Sequence, residues 1–100
     1  MIRGVTIFER KHVMETLLFI YDCGGKTTRM ALYNNVANDA SMPEKLEILE
    51  GFGLIRQVEE RVTRTMHIEL SDHGHEVAKK LTDIDRVMGP YITPSRTGRY

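Results

Sequence analysis

The sequence predicts a mostly helical α+β fold, in which three short helices are followed by a β-hairpin and a last helix. Three observations predict it. Apolar residues recur at helical spacing in separate stretches; residues 62–70 alternate between apolar and polar side chains, as a strand does; and a helix at residues 41–50 ends at a glycine turn and leads directly into a strand. A chain of 100 residues can bury one modest core, so we expect a single domain over residues 1–100.

The first helix is predicted over Glu9–Asp22. Its apolar residues repeat at helical spacing and are Val13, Met14, Leu17, Leu18, Ile20 and Tyr21. The flexible run Cys23-Gly24-Gly25 ends the pattern, and we expect Cys23 to be a plain buried thiol because it lies at the apolar end of this helix. Residues 1–8, expected as an N-terminal arm, alternate only loosely. The pattern of residues 1–8 is compatible with an irregular arm, a short strand or a lead-in to the first helix.

The second helix is expected to be short, with about three turns at most. Thr27 or Thr28 can cap it, and its apolar residues are Met30, Ala31, Leu32, Tyr33 and Val36. The preceding run, residues 24–28, has a superficial likeness to a phosphate-binding loop. Because the glycine spacing and the preceding strand of such a loop are missing, we interpret this run as a turn between two helices.

The third helix is amphipathic. Met42, Leu46 and Leu49 fall at i, i+4 and i+7 and line one face. The residues expected to point away from that face are Ser41, Glu44, Lys45 and Ile48.

The ends of the third helix carry their own signals. Ser41 and Glu44 have the spacing of a capping box, in which each side chain bonds a backbone N–H of the first turn. Pro43 in that turn loses no intrahelical hydrogen bond and supports a helix start. Gly53 is expected to adopt the left-handed conformation that ends a helix, and Leu54-Ile55 begins a strand.

A hairpin and a last helix follow. The first strand continues through residues 56–58, and the second carries Val62, Met66, Ile68 and Leu70 on one face. The turn lacks Gly, Asn and Pro, which leaves its position open by a few residues. Ser71 can cap the last helix, which runs to Gly89-Pro90. Residues 89–100 are expected to form a loosely ordered tail.

Composition and motifs exclude several classes of function. Lys+Arg and Asp+Glu both number 14, so the net charge is +0, which argues against a strong non-specific DNA-coating protein. We expect a cytoplasmic protein without a membrane segment, because no long apolar run or signal-peptide pattern occurs.

No catalytic triad or catalytic carboxylate pair is present, so an enzyme is not expected. His73 and His75 do not share a helix face, so we expect no metal, and no other cofactor is indicated.

Two stretches carry a resemblance to a known family. They are Met42-x3-Leu46-x2-Leu49-x3-Gly53-Leu54-Ile55 and Leu70-Ser71-Asp72-x-Gly74-x2-Val77-Ala78-x2-Leu81. Together with the order of elements over residues 9–85, they resemble the winged helix-turn-helix domains of bacterial and archaeal transcription regulators, of the MarR-like and ArsR-like kinds. The resemblance implies a three-helix core, a recognition helix (the third), a hairpin wing and a following helix. The single cysteine departs from the metal-sensing members, so no metal-sensor role is carried over.

The resemblance implies binding of double-stranded DNA by the third helix and the wing. The best phosphate-binding candidates are Lys45, Arg56, Arg61 and Arg64, with Arg29 and Lys26 as additional backbone contacts. The other candidate contacts are Ser41, Glu44, Ile48 and Thr63. For Ser41 and Glu44, helix capping is favoured over a base contact, and a solvated surface charge is the alternative for each cation.

A homodimer is expected, because one monomer of this size offers few base contacts. The apolar surplus of the first and last helices would form its interface, and the residues concerned are Phe19, Tyr21, Ile84, Met88 and Tyr91. An alternative function is a winged helix that binds another protein within a larger assembly. The zero net charge and the acidic residues of the third helix favour that alternative.

Overall fold

The computed structural model describes residues 3–90 of the chain. A 3₁₀ helix at Gly4–Glu9 precedes four α-helices and three strands: α1 Val13–Asp22, β1 Lys26–Thr28, α2 Arg29–Asn35, α3 Met42–Gly51, β2 Ile55–Glu59, β3 Met66–Leu70 and α4 Asp72–Met88. The strands form one antiparallel sheet in the order β1-β3-β2. The fold is therefore α+β, mostly helical, and the three helices, the hairpin and the last helix follow each other as predicted.

The core lies between the helices and one face of the sheet. The fully buried apolar side chains of the helices are Val13, Leu17, Ile20, Leu32, Met42, Leu46, Leu49 and Ala78, and Ile68 joins them from β3. The predicted apolar face of α3 is thus buried, whereas α1 leaves Met14 exposed and α2 buries only Leu32 fully and leaves Met30 exposed. The shared core stabilises these short helices together.

The end of α3 is built as the sequence predicts. Gly53 has φ +75°, its N–H donates to Glu50 O, and the N–H of Leu54 donates to Leu49 O. These two bonds form the Schellman motif that closes a helix with a left-handed residue. The chain leaves α3 in the direction of β2, so the third helix and the wing are joined by a rigid turn.

The start of α4 is packed against that turn. Ser71 Oγ accepts a hydrogen bond from Gly74 N at 2.9 Å, which confirms the predicted cap, and it donates to Gly53 O at 2.5 Å. The N–H of Ser71 donates to Leu54 O at 3.0 Å. A Cβ on Gly74 would lie 1.8 Å from the same Leu54 oxygen, so this close approach of the two backbones requires glycine.

The first third of the chain differs from the prediction. The first α-helix begins at Val13 instead of Glu9, and the residues before it form the 3₁₀ helix. Residues 24–28, interpreted above as a turn, contain β1, in which Lys26 pairs with Glu69. Thr28 ends this strand and caps α2 as predicted, since its Oγ1 accepts from Ala31 N at 3.1 Å.

Two side chains predicted to be buried are exposed. Cys23 follows the last residue of α1, where the helix has ended and the chain turns through Gly24 (φ +85°) and Gly25 (φ +95°), and its side chain is exposed. Val62 lies in the hairpin loop instead of β3 and is 91% exposed. The predicted tail is described only at Gly89 and Pro90, and its remainder lies outside the described residues.

Candidate nucleic-acid interface

The outward surface of α3 is acidic. Glu44, Glu47 and Glu50 are all exposed. At about 100° per residue, Glu44 and Glu50 project about 120° apart, and Glu47 bisects that angle. The outward face of the predicted recognition helix is therefore centred on a carboxylate.

The wing lies on the Glu50 side of this face. Gln57 of β2 donates from Nε2 to Glu50 Oε1 at 3.1 Å. Its Oε1 accepts from Arg29 Nη2 at 2.7 Å and from Arg29 Nε at 3.1 Å. Arg29 was a candidate phosphate contact, and here its guanidinium bridges α2 to β2. Gln57 of β2 was not among the predicted contacts, and its side chain bonds both Arg29 of α2 and Glu50 of α3.

The N-terminal segment lies on the Glu44 side. Arg10 Nη2 donates to Glu44 Oε1 at 2.9 Å, and Gly4 lies beside Phe52, where a Cβ would be 3.6 Å from the ring. A groove between the two elements is lined by Arg3, Thr6, Ile7, Arg10, Ile48 and Phe52. Ile48, a candidate contact, is thus half-buried against the N-terminal segment and not fully exposed on the outward face.

The capping box predicted at the start of α3 is wrong. No capping box forms: Glu44 pairs with Arg10, and Ser41 makes no side-chain bond to the helix backbone. The N–H of Ser41 instead donates to Asp39 Oδ1 at 3.0 Å, and the Ser41 hydroxyl donates to the same oxygen at 2.7 Å. These hydrogen bonds from Ser41, together with Lys45 and His12 nearby, hold the pKa of Asp39 below its ordinary value of 3.8.

Lys45 was also expected to point away from the interior. Its side chain is only 7% exposed, and its Nζ lies 3.7 Å from Asp39 Oδ2. Lys45 precedes Leu49 by four residues, so its aliphatic stem continues the apolar face while the ammonium reaches the carboxylate at its edge. The structure therefore separates Lys45 from the other candidate cations.

Two further candidates lie on the face of the sheet that points away from the core. Arg56 on β2 and Lys26 on β1 are both in register with Glu69 on β3. Arg56 Nη2 bonds Glu69 Oε1, and Lys26 Nζ lies 3.8 Å from Glu69 Oε2. The hydrogen bond and charge of Arg56, with a smaller effect from Lys26, lower the pKa of Glu69.

The last candidates lie in the hairpin loop, at residues 60–65. Arg61 is exposed, and within residues 3–90 no carboxylate oxygen lies within 4.0 Å of it. Arg64 adopts φ +61°, and its Nε bonds Glu59 Oε2 at 3.0 Å. Thr63 Oγ1 donates to Thr65 Oγ1 at 2.8 Å. The structure thus brings Arg61, Thr63 and Arg64 together at the tip of the wing.

The apolar candidates for an interface between copies differ in exposure. Ile84 and Met88 are exposed on α4. Phe19 packs against the core, and the ring of Tyr21 meets that of His75 edge to face at 5.3 Å. Tyr91 lies outside the described residues. Of these candidates, the two exposed ones, Ile84 and Met88, both lie near the end of α4.

Comparison with solved structures shows the fold. The structure of reduced AbfR bound to DNA superposes with a TM-score of 0.62 and 14% sequence identity, over 88% of this chain and 65% of the AbfR chain. The chain thus matches less than two thirds of that protein. No family model matches the sequence, and no curated protein matches it. Within residues 3–90, no helix is long and apolar enough to cross a membrane. The fold is that of a winged helix, shared with a protein whose structure was determined on DNA.

Proposed function

We propose that this chain is a transcription regulator that binds duplex DNA as a dimer, with α3 directed into the major groove and the wing along the adjacent backbone. The observation that supports it is the winged-helix fold shared with DNA-bound AbfR. In this fold, α3 presents its outward face beside a wing whose tip carries Arg61 and Arg64.

The charges of the wing tip suit phosphate binding. Arg64 and Glu59 are 77% and 46% exposed, and an exposed pair of this kind stabilises the fold by only about 0–1 kcal/mol. Arg64 can therefore exchange Glu59 for a phosphate at little cost. Because the outward face of α3 is acidic, the affinity must come from cations that flank the helix, and it should be strongly dependent on salt.

The dimer is proposed from α4. Ile84, Val87 and Met88 are 54%, 87% and 78% exposed near its end, which is unusual for three neighbouring apolar side chains of a soluble protein. A second copy that covers this surface would place two α3 helices on two half-sites. Two half-sites give a small domain enough contacts for sequence discrimination.

The test is fluorescence anisotropy with a mixed-sequence duplex, titrated from low to physiological salt, together with sedimentation velocity of the free protein. We expect the wild-type protein to sediment as a dimer and to bind with an affinity that falls steeply with salt. The double variant Arg61→Gln, Arg64→Gln should lower the slope of log K against log salt by ~1.8, at ~0.9 per lost phosphate contact.

The matched control is Lys79→Gln on α4, which removes a positive charge from an exposed position that does not share the Ile84 face proposed for the dimer. This variant should retain the wild-type slope. Equal slopes for the wing variant and the wild type would contradict the assignment of the wing, and no binding at low salt would contradict DNA binding altogether.

One observation favours a second function, in which α3 binds a basic protein. Its outward face presents three exposed carboxylates, Glu44, Glu47 and Glu50, and the one lysine of the helix is buried. A protein that fails to bind DNA at low salt but binds a lysine-rich peptide, with loss of binding on Glu47→Gln, would support this function over the first.

A further inference from the structure

The N-terminal segment, residues 3–11, runs along one side of α3. Arg10 is bonded to Glu44 in the first turn of the helix, and Gly4 lies beside Phe52 just after its last turn. Glu44, Ile48 and Phe52 are spaced four residues apart, so they form one stripe along α3. The segment lies beside this stripe from end to end and is antiparallel to the helix.

The segment and the wing therefore flank α3 on opposite sides. Glu50 holds the wing through Gln57, Glu44 holds the segment through Arg10, and Glu47 projects between them. A helix that enters a major groove, about 12 Å wide, has a phosphate strand on each side. The wing is placed to meet one of these strands, and the N-terminal segment is placed to meet the other.

The N-terminal segment also carries positive charge, which the outward face of α3 lacks. Residues 3–11 contain Arg3, Arg10 and Lys11 against a single carboxylate, Glu9. Arg3 and Lys11 are exposed, and no carboxylate oxygen of the described residues lies within 4.0 Å of their charged atoms. Arg10 and Glu44 are 42% and 65% exposed, so this pair is weak and can open toward a phosphate.

The segment is held in place by packing. Ile7 and Phe8 are partly buried against the core, and Arg10 N donates to Ile7 O at 3.1 Å. Cations on a packed segment lose less conformational entropy on binding than cations on a flexible arm. We propose that the N-terminal segment is a second phosphate-binding element, which contacts the DNA backbone through Arg3 and Arg10 on the side of α3 opposite the wing. This inference rests on the proposed DNA binding.

The test is the double variant Arg3→Gln, Arg10→Gln, measured by the same salt titration on a mixed-sequence duplex. We expect the slope of log K against log salt to fall by ~1.8, which corresponds to two lost contacts. The charge-preserving variant Arg3→Lys, Arg10→Lys should keep most of the slope. Lys79→Gln again serves as the control, and circular dichroism checks that each variant is folded.

A second comparison separates phosphate binding from a structural role of Arg10. If Arg10 only neutralised Glu44, the loss caused by Arg10→Gln would disappear in a Glu44→Gln background. We expect the loss to persist there, because the arginine acts on the phosphate. Wild-type binding with an unchanged slope in the double variant would overturn this inference and leave the proposed function intact. No wild-type binding at low salt would overturn both.

Discussion

The close approach of α4 to the turn after α3 gives a sharp prediction for Gly74→Ala. The added Cβ would lie 1.8 Å from Leu54 O and 2.7 Å from Leu54 C, and these atoms belong to backbone, which cannot rotate away as a side chain does. The two backbones must separate by at least about 1.2 Å to reach an acceptable contact, and the hydrogen bond from Ser71 N to Leu54 O, now 3.0 Å, stretches with them.

Overpacking of this kind costs about 1–3 kcal/mol, and the lost backbone bond adds about 1 kcal/mol. Alanine recovers up to about 1 kcal/mol through its helix propensity. We therefore expect Gly74→Ala to lower the free energy of unfolding by about 2 kcal/mol, and the melting temperature by about 8–16 °C in a domain of this size.

The assay is urea unfolding followed by circular dichroism, with Gly51→Ala as the matched control. Gly51 is the last residue of α3, and nothing lies within 4 Å of a Cβ there. That variant should gain up to about 1 kcal/mol. A Gly74→Ala protein as stable as the wild type would refute the close approach and, with it, the account of how α4 is fixed against the turn between α3 and the wing.

Two further predictions concern the surroundings of α3. Gln57→Ala removes the side chain that joins α2 and the wing to α3. We expect it to lower the free energy of unfolding, measured in urea, by about 1–2 kcal/mol. An unchanged urea midpoint of unfolding would show that water replaces these hydrogen bonds without loss of stability. Ser41→Ala removes the largest cause of the lowered pKa of Asp39, so the pKa measured by NMR should rise toward 3.8. Because the pKa of Asp39 is lowered in the folded state, its stabilising contribution is present above pH 3.8 and is lost as the pH falls through the folded pKa. The variant should lose less stability than the wild type over that acid range, and an equal loss would contradict this role of Ser41.

The parts of the fold that were predictable are those set by local pattern. The apolar face of α3, its left-handed ending at Gly53 and the caps at Thr28 and Ser71 depend on neighbouring residues, and the structure confirms them. β1 was not predicted, because it depends on residues far away in the sequence. Its three residues, Lys26–Thr28, carry no apolar alternation, and they form a strand only because the distant β3 supplies hydrogen-bonding partners.

The site was less predictable than the fold, because its polar contacts cross between elements. Asp39, four residues before Pro43, accepts a hydrogen bond from the Ser41 hydroxyl and pairs with Lys45, whose side chain is buried. Arg10 comes from the segment whose structure the sequence left open, and it takes Glu44 away from the capping box. A clue was present in the basic residues at 3, 10 and 11, but charge spacing alone does not show which helix a segment packs against.

The positions of the charged residues reconcile the zero net charge of the chain with the proposed DNA binding. A carboxylate in the major groove is repelled by phosphates and is matched only by donors such as the cytosine amino group. The outward position of Glu47 therefore cannot supply affinity, whereas the cations on both sides of it can. Under the proposed function, binding strength would come from the wing and the N-terminal segment, and the acidic helix between them would act mainly by rejecting sequences that offer it no donor. A net charge of +0 is then compatible with DNA binding, because the proposed phosphate contacts Arg3, Arg10, Arg61 and Arg64 lie on the flanks of α3 and not on its acidic face.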